Sequence, residues 1–227
     1  MTEPWTLAWL GDAALTVRVE AEAPLAANAG VHRLARRLTR AAVAGVRDIV
    51  PGMRELVIHV DPLRCDVLEV QRALRAIDDG RAGPGGGLGG RSDGGQVLEV
   101  PVHYGGDAGP DLAEVAASCR LSPEDVCQRH AAAEYVVCFV GFLPGFPYLG
   151  LLDGALQLPR RATPRPRVPP GSVAIAGEYT GIYPCASPGG WHIIGRTDVS
   201  LFDLHAVPPA RLSPGMRVRF VIGQVHR

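Results

Sequence analysis

The sequence has 227 residues, with 23 basic and 23 acidic side chains and therefore no net charge. A balanced chain has no overall field that would attract nucleic acid or an anionic membrane surface, so neither partner is expected. Hydrophobic residues make up 47% of the chain, but no uninterrupted apolar run approaches the roughly 18 residues that span a bilayer. The first residues lack the basic segment of a signal peptide, and a cytoplasmic protein is expected.

The cysteines argue against a disulfide framework or a zinc site. There are five of them, an odd number, and no two form a CxxC pair. Both kinds of site need tighter pairing. We expect small buried hydrophobic side chains in a reducing compartment.

The first 80 residues predict a small α+β domain. Alternating apolar residues predict two strands before residue 21 and another strand pair over residues 46–60. Between them, residues 25–43 carry apolar side chains at helical spacing with arginines on the other face, and residues 65–77 repeat that pattern. Four strands with two helices on one face account for this order.

A change in composition separates two domains. Residues 81–95 are dominated by glycine and cannot fill a core, which predicts a linker. The segment contains a literal GxGxxG at residues 85–90. A dinucleotide site would need a strand before this motif and a helix after it, and the sequence predicts neither.

Residues 96–227 predict a β-barrel preceded by two short helices. A strand is expected over residues 96–104 and helices over 110–118 and 123–133. Ser122 as N-cap, Pro123 at the first helical position and Asp125 at N3 mark the start of the second helix. From Tyr135 onward, short apolar runs alternate with Gly and Pro, which is typical of a closed or nearly closed barrel.

The stretch GFLPGFPYLG, residues 141–150, has no charged residue. Its glycines and prolines cannot continue a helix or supply every hydrogen bond of a central strand. The composition predicts an apolar, rigid loop with few free hydrogen-bonding groups.

A second loop, residues 159–172, concentrates positive charge. Arg160, Arg161, Arg165 and Arg167 lie within eight residues, and the prolines between them favour an extended path. Two such guanidinium groups can hold a carboxylate or phosphate. A solvated basic loop is the alternative.

The segment from Ser187 to Trp191 contains two adjacent glycines, Gly189 and Gly190. They would let a ligand approach backbone amides, or they would only form a tight hairpin turn; the residues leave both open. Ser187 lacks the GxSxG context of an acyl-enzyme nucleophile. Tyr148, Tyr183 and Trp191 would line a pocket or belong to the core.

His130 and Glu134 are four residues apart and could share one face of a helix. Two ligands are too few for a metal site, so a hydrogen-bonding role is expected. No P-loop or kinase motif occurs, so any ATP chemistry would proceed without a familiar nucleotide motif.

At GFLPGFPYLG, at residues 159–177, at TGIYPCASPGGWHIIGRT (residues 180–197) and at LFD (residues 201–203), the chain resembles the family known as KipI, allophanate hydrolase subunit 1 or the B subunit of 5-oxoprolinase. The resemblance runs almost end to end. It implies a ferredoxin-like α/β-sandwich N-terminal domain (residues 1–80) and a cyclophilin-like β-barrel C-terminal domain (residues 96–227).

The resemblance also implies partners and a reaction. The family that this chain resembles works with a homologous C subunit (allophanate hydrolase subunit 2). In the oxoprolinase system it also works with a lactam-utilisation A subunit (LamB/YcsF-like). Together they open 5-oxo-L-proline to L-glutamate with ATP, as Mg-ATP, and the isolated chain is expected to be inactive. The apolar loop with Phe146 is expected to form part of the interface with the C subunit or of the pocket wall beside it.

Combined with residue chemistry, the matched motifs assign Arg160, Arg161 and Arg165 to anion binding and His130 to proton transfer. The residues expected to bind substrate are Thr180, Tyr183, Ser187, Gly189, Gly190 and Trp191. Tyr179 stands where many relatives have Gln, which would alter substrate recognition. Gly215-Met216 replaces the usual Gly-Asp and is expected to matter only structurally.

Three rival functions remain open from the sequence. One is an allophanate hydrolase or urea carboxylase-like complex, and a second is a KipI-type inhibitor of a histidine kinase. The third is a prolyl isomerase, which the fold would suggest but no active-site motif supports.

Overall fold

A computed structural model describes residues 5–76 and 97–226. The chain divides into two compact units, residues 1–89 and 90–227. The predicted linker at residues 81–95, with its GxGxxG, lies outside the described residues. Its exact bounds stay a prediction.

Unit 1 is an antiparallel four-stranded sheet in the order β1-β2-β4-β3. Its elements are β1 (Trp5–Trp9), β2 (Ala14–Val19), α1 (Pro24–Ala41), β3 (Val46–Pro51), β4 (Glu55–Val60) and α2 (Val67–Arg75). Alternate residues of the central strands, such as Val17 and Ile58, are buried with the apolar stripe of α1 around Leu34. This is the α+β sandwich predicted from the sequence.

Unit 2 is built on a closed barrel of seven strands in the order β10-β7-β6-β13-β5-β12-β9. The barrel strands are β5 (Val97–Gly105), β6 (Glu134–Val140), β7 (Pro147–Gly150), β9 (Ser172–Ala176), β10 (Tyr179–Ile182), β12 (His192–Arg196) and β13 (Arg217–His226). The predicted barrel is confirmed. A separate two-stranded ribbon pairs β8 (Arg165–Val168) with β11 (Ser187–Gly189).

The barrel is closed by its first and last strands. β13 runs parallel to β5, with Arg217 opposite Val97 and the pairing continuing to His226 opposite Gly105. On its other side β13 pairs with β6 only from Arg217 to Arg219.

Helices α3 (Leu112–Cys119) and α4 (Pro123–Ala132) pack against this barrel. The predicted start of α4 is confirmed: Ser122 and Asp125 form a reciprocal capping box, with proline in the first turn. Its buried residues Val126 and Cys127 join the barrel core. None of the helices in the described residues is long and apolar enough to cross a membrane.

The stretch GFLPGFPYLG is only partly a loop. Residues 147–150 form β7, which pairs with β6 and β10. Proline at the first strand residue is compatible with this, because that position can do without an amide donor. The prediction of a loop over all ten residues was therefore wrong at its C-terminal end.

The five cysteines, all of them within the described residues, form no disulfide bond. Cys127 and Cys138 are buried, and burial raises the pKa of each to about 11. Cys185 is exposed, so the expectation of buried cysteines fails there.

Candidate functional site on the outer face of the barrel

A buried carboxylate organises the arginine loop. Asp111 stands just before α3, and its side chain is only 3% exposed. Both terminal nitrogens of Arg165 donate to it, at 2.8 and 2.6 Å, and Arg161 Nη1 donates at 2.9 Å. The Ile193 backbone N–H donates a fourth hydrogen bond at 2.7 Å. Asp111 thus ties the arginine loop to β12.

We call Asp111, Glu114, Arg161 and Arg165 the Asp111 cluster. Arg161 Nη1 also donates to Glu114 Oε2 at 2.9 Å, although Glu114 is largely exposed. Two carboxylates therefore face two guanidinium groups. The hydrogen bonds from Arg165 to Asp111 raise the pKa of that guanidinium. The charge within the cluster is balanced before any ligand binds.

Two polar atoms of this region have no hydrogen-bond partner among the described residues, although both are buried. One is Arg161 Nε and the other is His192 Nδ1. His192 Nε2 lies 2.9 Å from the Pro159 carbonyl oxygen, which can only accept, so Nε2 carries the proton. In the tautomer that carries its proton on Nε2, Nδ1 can accept a hydrogen bond.

Next to the Asp111 cluster lies a compact group of aromatic rings, the aromatic cluster. Phe146 is at its centre and makes edge-to-face contacts with Tyr148, Tyr183 and Trp191. The remaining members are Phe139, Phe142 and Tyr179. Ala174 and Ala176 of β9 pack into this cluster, whereas their neighbours Val173 and Ile175 point into the barrel. The aromatic cluster therefore covers the outer face of the barrel wall.

Gly189 is explained by a close approach. A Cβ on Gly189 would collide with the Tyr183 hydroxyl, whereas a Cβ on Gly190 would meet nothing closer than Pro164 at 3.7 Å. Ser187 to Gly189 form β11, and the Gly190 carbonyl accepts from the Arg161 backbone N–H at 2.8 Å. Because Gly189 ends a strand that pairs with β8, the two glycines do not form a hairpin turn, and ligand binding at their amides stays a prediction.

Arg160 differs from its neighbours in the loop. It is exposed, and it forms no ion pair with any of the residues described. Burial raises the pKa values of Tyr148 and Tyr183, while the nearby Arg160 charge opposes both shifts. The Arg160 guanidinium therefore lies beside the aromatic cluster with its charge uncompensated.

His130 lies elsewhere, in the barrel interior with no exposed surface. Its Nδ1 is 2.7 Å from the Tyr104 hydroxyl, and its Nε2 is 2.8 Å from Thr180 Oγ1. Thr180 Oγ1 donates its single proton to the Ala174 carbonyl at 3.1 Å. Thr180 therefore accepts from His130 Nε2–H, and Tyr104 donates to Nδ1. We call these three side chains the barrel-interior network.

Every polar atom of the His130 ring is satisfied when the ring is neutral. Burial lowers the pKa of His130 to about 3, because the charged form would lose its hydration. Burial also raises the pKa values of Tyr104 and Tyr135 around it. The ring is held neutral at ordinary pH, away from solvent.

The structure brings together some of the predicted site residues and separates others. The group on the outer face contains Arg160, Arg161, Arg165, Tyr183, Ser187, Gly189, Gly190 and Trp191. His130 and Thr180 lie on the inside of the barrel. Their assignment to proton transfer and substrate binding stays a prediction, which this position does not favour.

Glu134, the other residue singled out near His130, pairs with Arg217 and Arg219 on β13. Within residues 5–76 and 97–226, no three His, Cys, Asp or Glu side chains come close enough to hold a metal ion.

Sequence reasoning missed Asp111 and His192. Asp111 occupies a helix N-cap position, where an aspartate ordinarily bonds its own helix, yet its side chain makes no capping hydrogen bond. The four arginines of the loop were the available signal, because a guanidinium group that becomes buried needs a carboxylate partner. Asp111 lies 50 residues before Arg161 and 54 before Arg165, so no local pattern identifies it as their partner.

The interface residue chosen from the sequence needs correcting. Phe146 is 1% exposed and forms the centre of the aromatic cluster, so it cannot contact a partner. Phe142 is 60% exposed and has a positive φ of 69°, a backbone conformation that is costly for a bulky side chain. Phe142 is the large hydrophobic side chain of this loop that is exposed to solvent.

Solved structures define the class of this fold. The Kluyveromyces lactis urea carboxylase superposes on 97% of this chain with a TM-score of 0.72 at 20% identity, over 22% of its own chain. The crystal structure of TTHA0988 is more similar, with a TM-score of 0.79 and 40% identity over 93% of this chain. This chain spans only 40% of the TTHA0988 chain. The same fold therefore occurs as one part of longer chains.

The family follows from sequence comparison. Residues 5–212 match the family described as carboxyltransferase domain, subdomain C and D. The 5-oxoprolinase B subunit of Escherichia coli O157:H7 is 43% identical over 213 residues, covering 93% of both chains. The protein of the same name from Bacillus subtilis (strain 168) is 36% identical over 236 residues, covering 97% of this chain and 94% of its own. The chain belongs to this carboxyltransferase subdomain C and D family, and the family predicted from the sequence is confirmed.

Proposed function

We propose that this chain is the B subunit of an ATP-dependent 5-oxoprolinase. The carrying observation is the pair of relatives that bear the name of that B subunit, each matching more than nine tenths of this chain. Their names refer to one part of an enzyme complex. The proposed reaction opens the lactam ring of 5-oxo-L-proline to L-glutamate and converts ATP to ADP and phosphate in the cytoplasm.

The outer face of the barrel supplies suitable chemistry for this substrate. 5-Oxoproline carries a carboxylate on a small ring, and ATP carries phosphate oxygens. Arg160 offers an unpaired positive charge, and Arg161 has a donor without a partner, so the residues present fit an oxyanion. Bound Mg-ATP would supply the activation of the lactam carbonyl. The residues of this chain would hold and orient the anionic groups.

We propose a homologous C subunit as the partner that covers Phe142, with a lactam-utilisation A subunit completing the complex. Phe142 is exposed. A Cβ on Gly145 would lie 3.1 Å from the Phe202 side chain, so the segment of residues 202–207 begins beside this loop. That segment carries Leu204 and Val207, which are 79% and 99% exposed. An apolar patch over two adjacent loops suits a protein interface. The longer TTHA0988 chain, in which this fold is one part, supports such an arrangement.

Reconstitution tests the reaction. The chain would be co-expressed with the candidate A and C subunits, and phosphate release measured with 5-oxoproline, with urea, or with no second substrate. The proposal predicts release that depends on both 5-oxoproline and ATP and is absent for the chain alone. Stimulation by urea and not by 5-oxoproline would assign the complex to urea chemistry instead.

Co-purification tests the interface. Phe142→Ser should weaken retention of the C subunit, because the substitution removes the largest exposed apolar group of the patch. Leu63→Ser is the matched control, since Leu63 is 94% exposed but belongs to unit 1. Equal retention by both variants would reject the interface.

A further inference from the structure

The unused hydrogen-bonding capacity of Arg161 is the observation that leads beyond the proposed function. Among the described residues, the Arg161 guanidinium donates hydrogen bonds through Nη1 alone, to Asp111 and Glu114. Nε is buried without a partner, and Nη2 makes no hydrogen bond to any residue in the described ranges. In a guanidinium group the Nε–H and one Nη2–H point the same way, which is the side-on edge that takes two oxygens of a carboxylate or phosphate.

A buried donor without a partner is uncommon and calls for an explanation. Leaving an N–H unpaired in the interior costs free energy, and native structures rarely do so without a water or a ligand to satisfy it. Here the unsatisfied atom belongs to a charged group whose opposite side is held firmly. A bound oxyanion would satisfy the Nε–H and use the free Nη2–H at the same time.

Asp111 fixes where that edge points. It holds Arg161 Nη1 and both terminal nitrogens of Arg165, and it is itself anchored by the Ile193 backbone amide. Arg165 spends both terminal nitrogens on Asp111, so it acts as a brace for the loop. Arg160 and Arg167 are exposed and have no ion pair in the described part of the chain, so nothing orients them. A preorganised donor binds at a lower entropic cost than a mobile one.

We propose that the Nε–Nη2 edge of Arg161 is an oxyanion-binding site and that Asp111 is its positioning residue. Naming the oxyanion as the 5-oxoproline carboxylate rests on the proposed function. A phosphate oxygen pair of ATP has the same chemistry. His192 Nδ1, an acceptor without a partner in the same region, would take a donor of the ligand such as a lactam N–H. Arg160, next in the chain, would offset the added negative charge.

The direct test observes the Arg161 Nε–H by NMR in the full chain, with its signal assigned by its loss in Arg161→Lys. The signal should shift saturably on titration with 5-oxoproline or with inorganic phosphate, and not with 2-pyrrolidinone, a lactam without the carboxylate. A shift with phosphate alone would assign the edge to the phosphoryl group. A signal that none of the three ligands moves would overturn the site, since a water would then satisfy the donor.

Kinetics of the reconstituted complex supply the second test, because they separate positioning from folding. Arg161→Lys keeps the charge but loses the edge, so the KM for 5-oxoproline should rise about tenfold or more, with a smaller change in kcat. Arg167→Lys is the matched control and should leave both parameters unchanged. Equal effects of the two substitutions would contradict the proposal.

Asp111→Asn removes the charge that orients Arg161, and the KM should again rise more than kcat changes. Glu114→Gln makes the same chemical change on the exposed partner and should alter KM less than about twofold. If Asp111→Asn does not fold, Arg165→Lys serves instead, because it keeps the Asp111 carboxylate and removes the two hydrogen bonds from Arg165. In this variant the ligand-induced shift of the Arg161 Nε–H signal should weaken. An unchanged response in Arg165→Lys would argue against positioning.

The two levels of proposal fail differently. A complex that opens no lactam, combined with a shifting Arg161 signal, would refute the oxoprolinase function and retain the oxyanion site. An active complex in which no ligand shifts the Arg161 signal would retain the oxoprolinase function and refute the oxyanion site.

Discussion

Two buried polar groups of unit 2, the barrel-interior network and the Asp111 cluster, differ in how fully their hydrogen-bonding atoms are paired. In the barrel-interior network each side chain has its partners within the chain, and the His130 ring uses both nitrogens. In the Asp111 cluster the carboxylate is saturated with donors, but Arg161 keeps a buried N–H without a partner in the described residues. A saturated network stabilises a fold, whereas an unsaturated one at a surface leaves capacity for a ligand.

The two groups also differ in charge. The barrel interior accommodates His130 only as a neutral ring, because burial there penalises a positive charge. The Asp111 cluster holds four charges that cancel in pairs. Removing the buried charge of Asp111 therefore leaves two guanidinium groups without their shared partner, which is the more damaging kind of substitution.

The largest expected effect is at Asp111. Asp111→Ala removes the hydrogen-bond acceptor of two arginines and of the Ile193 backbone amide. The free energy of unfolding of unit 2 should therefore fall by about 3–5 kcal/mol. Glu114→Ala removes the exposed carboxylate of the same cluster and should cost less than about 1 kcal/mol. The free energy of unfolding of both variants is measured by denaturant unfolding, with hydrogen exchange of the barrel amides as the readout. Similar losses would show that the cluster is not organised around Asp111.

The next effect is a pH dependence that belongs to the barrel interior. The unfolded chain protonates His130 near pH 6.5, whereas the folded chain resists protonation until its pKa of about 3. The stabilising contribution is complete above pH 6.5 and is lost as the pH falls, by up to about 1.4 kcal/mol per pH unit.

His130→Gln isolates this contribution. Gln keeps a donor and an acceptor but does not titrate. Between pH 6.5 and 4.5 the natural protein should therefore lose about 2–3 kcal/mol more stability than the variant. The measurement is the free energy of unfolding from urea titrations at both pH values. Parallel losses in the two proteins would place the titration elsewhere.

A third prediction tests the close contact between the ribbon and the aromatic cluster. Gly189→Ala should destabilise unit 2 by about 1–3 kcal/mol, because the new methyl group overlaps the Tyr183 hydroxyl. Gly190→Ala, with room for a methyl group, is the matched control. Tyr183→Phe should partly relieve Gly189→Ala in the double variant. Thermal unfolding of the four proteins gives the coupling, and purely additive losses would contradict the contact.

The smallest effect concerns the backbone at Phe142. Because its φ is positive, glycine fits this position better than alanine, and Phe142→Gly should be more stable than Phe142→Ala by about 1 kcal/mol. Both variants should retain the C subunit equally poorly. Equal stability of the two variants would indicate that the loop relaxes when the ring is removed.

Local signals were sufficient for most of the elements. The start of α4 followed from Ser122, Pro123 and Asp125, whose contacts all lie within one helical turn. The strands of the barrel followed from short apolar runs between Gly and Pro. Pro147–Gly150 was missed as a strand because its pairing with β6 and β10 is a tertiary contact that overrides local propensity.

The site was less predictable, because its organisation depends on which side of a wall each residue faces. Thr180 and Tyr183 are three residues apart, yet one bonds His130 inside the barrel and the other packs outside it. Phe142 and Phe146 belong to one loop, yet one is exposed and the other is buried. The partner of Arg161 and Arg165 comes from a helix start far upstream. Composition shows that these residues exist but not how they are paired.

The order of strands sets when this protein can fold. β5 is made first among the barrel strands, but along its whole length it pairs with β13, which is made last. The β5–β13 pair of the barrel cannot form until residues 217–226 have left the ribosome. Unit 1 is built from residues that are translated much earlier. During synthesis the edge of β5 that pairs with β13 therefore lacks its partner strand while more than a hundred further residues are translated.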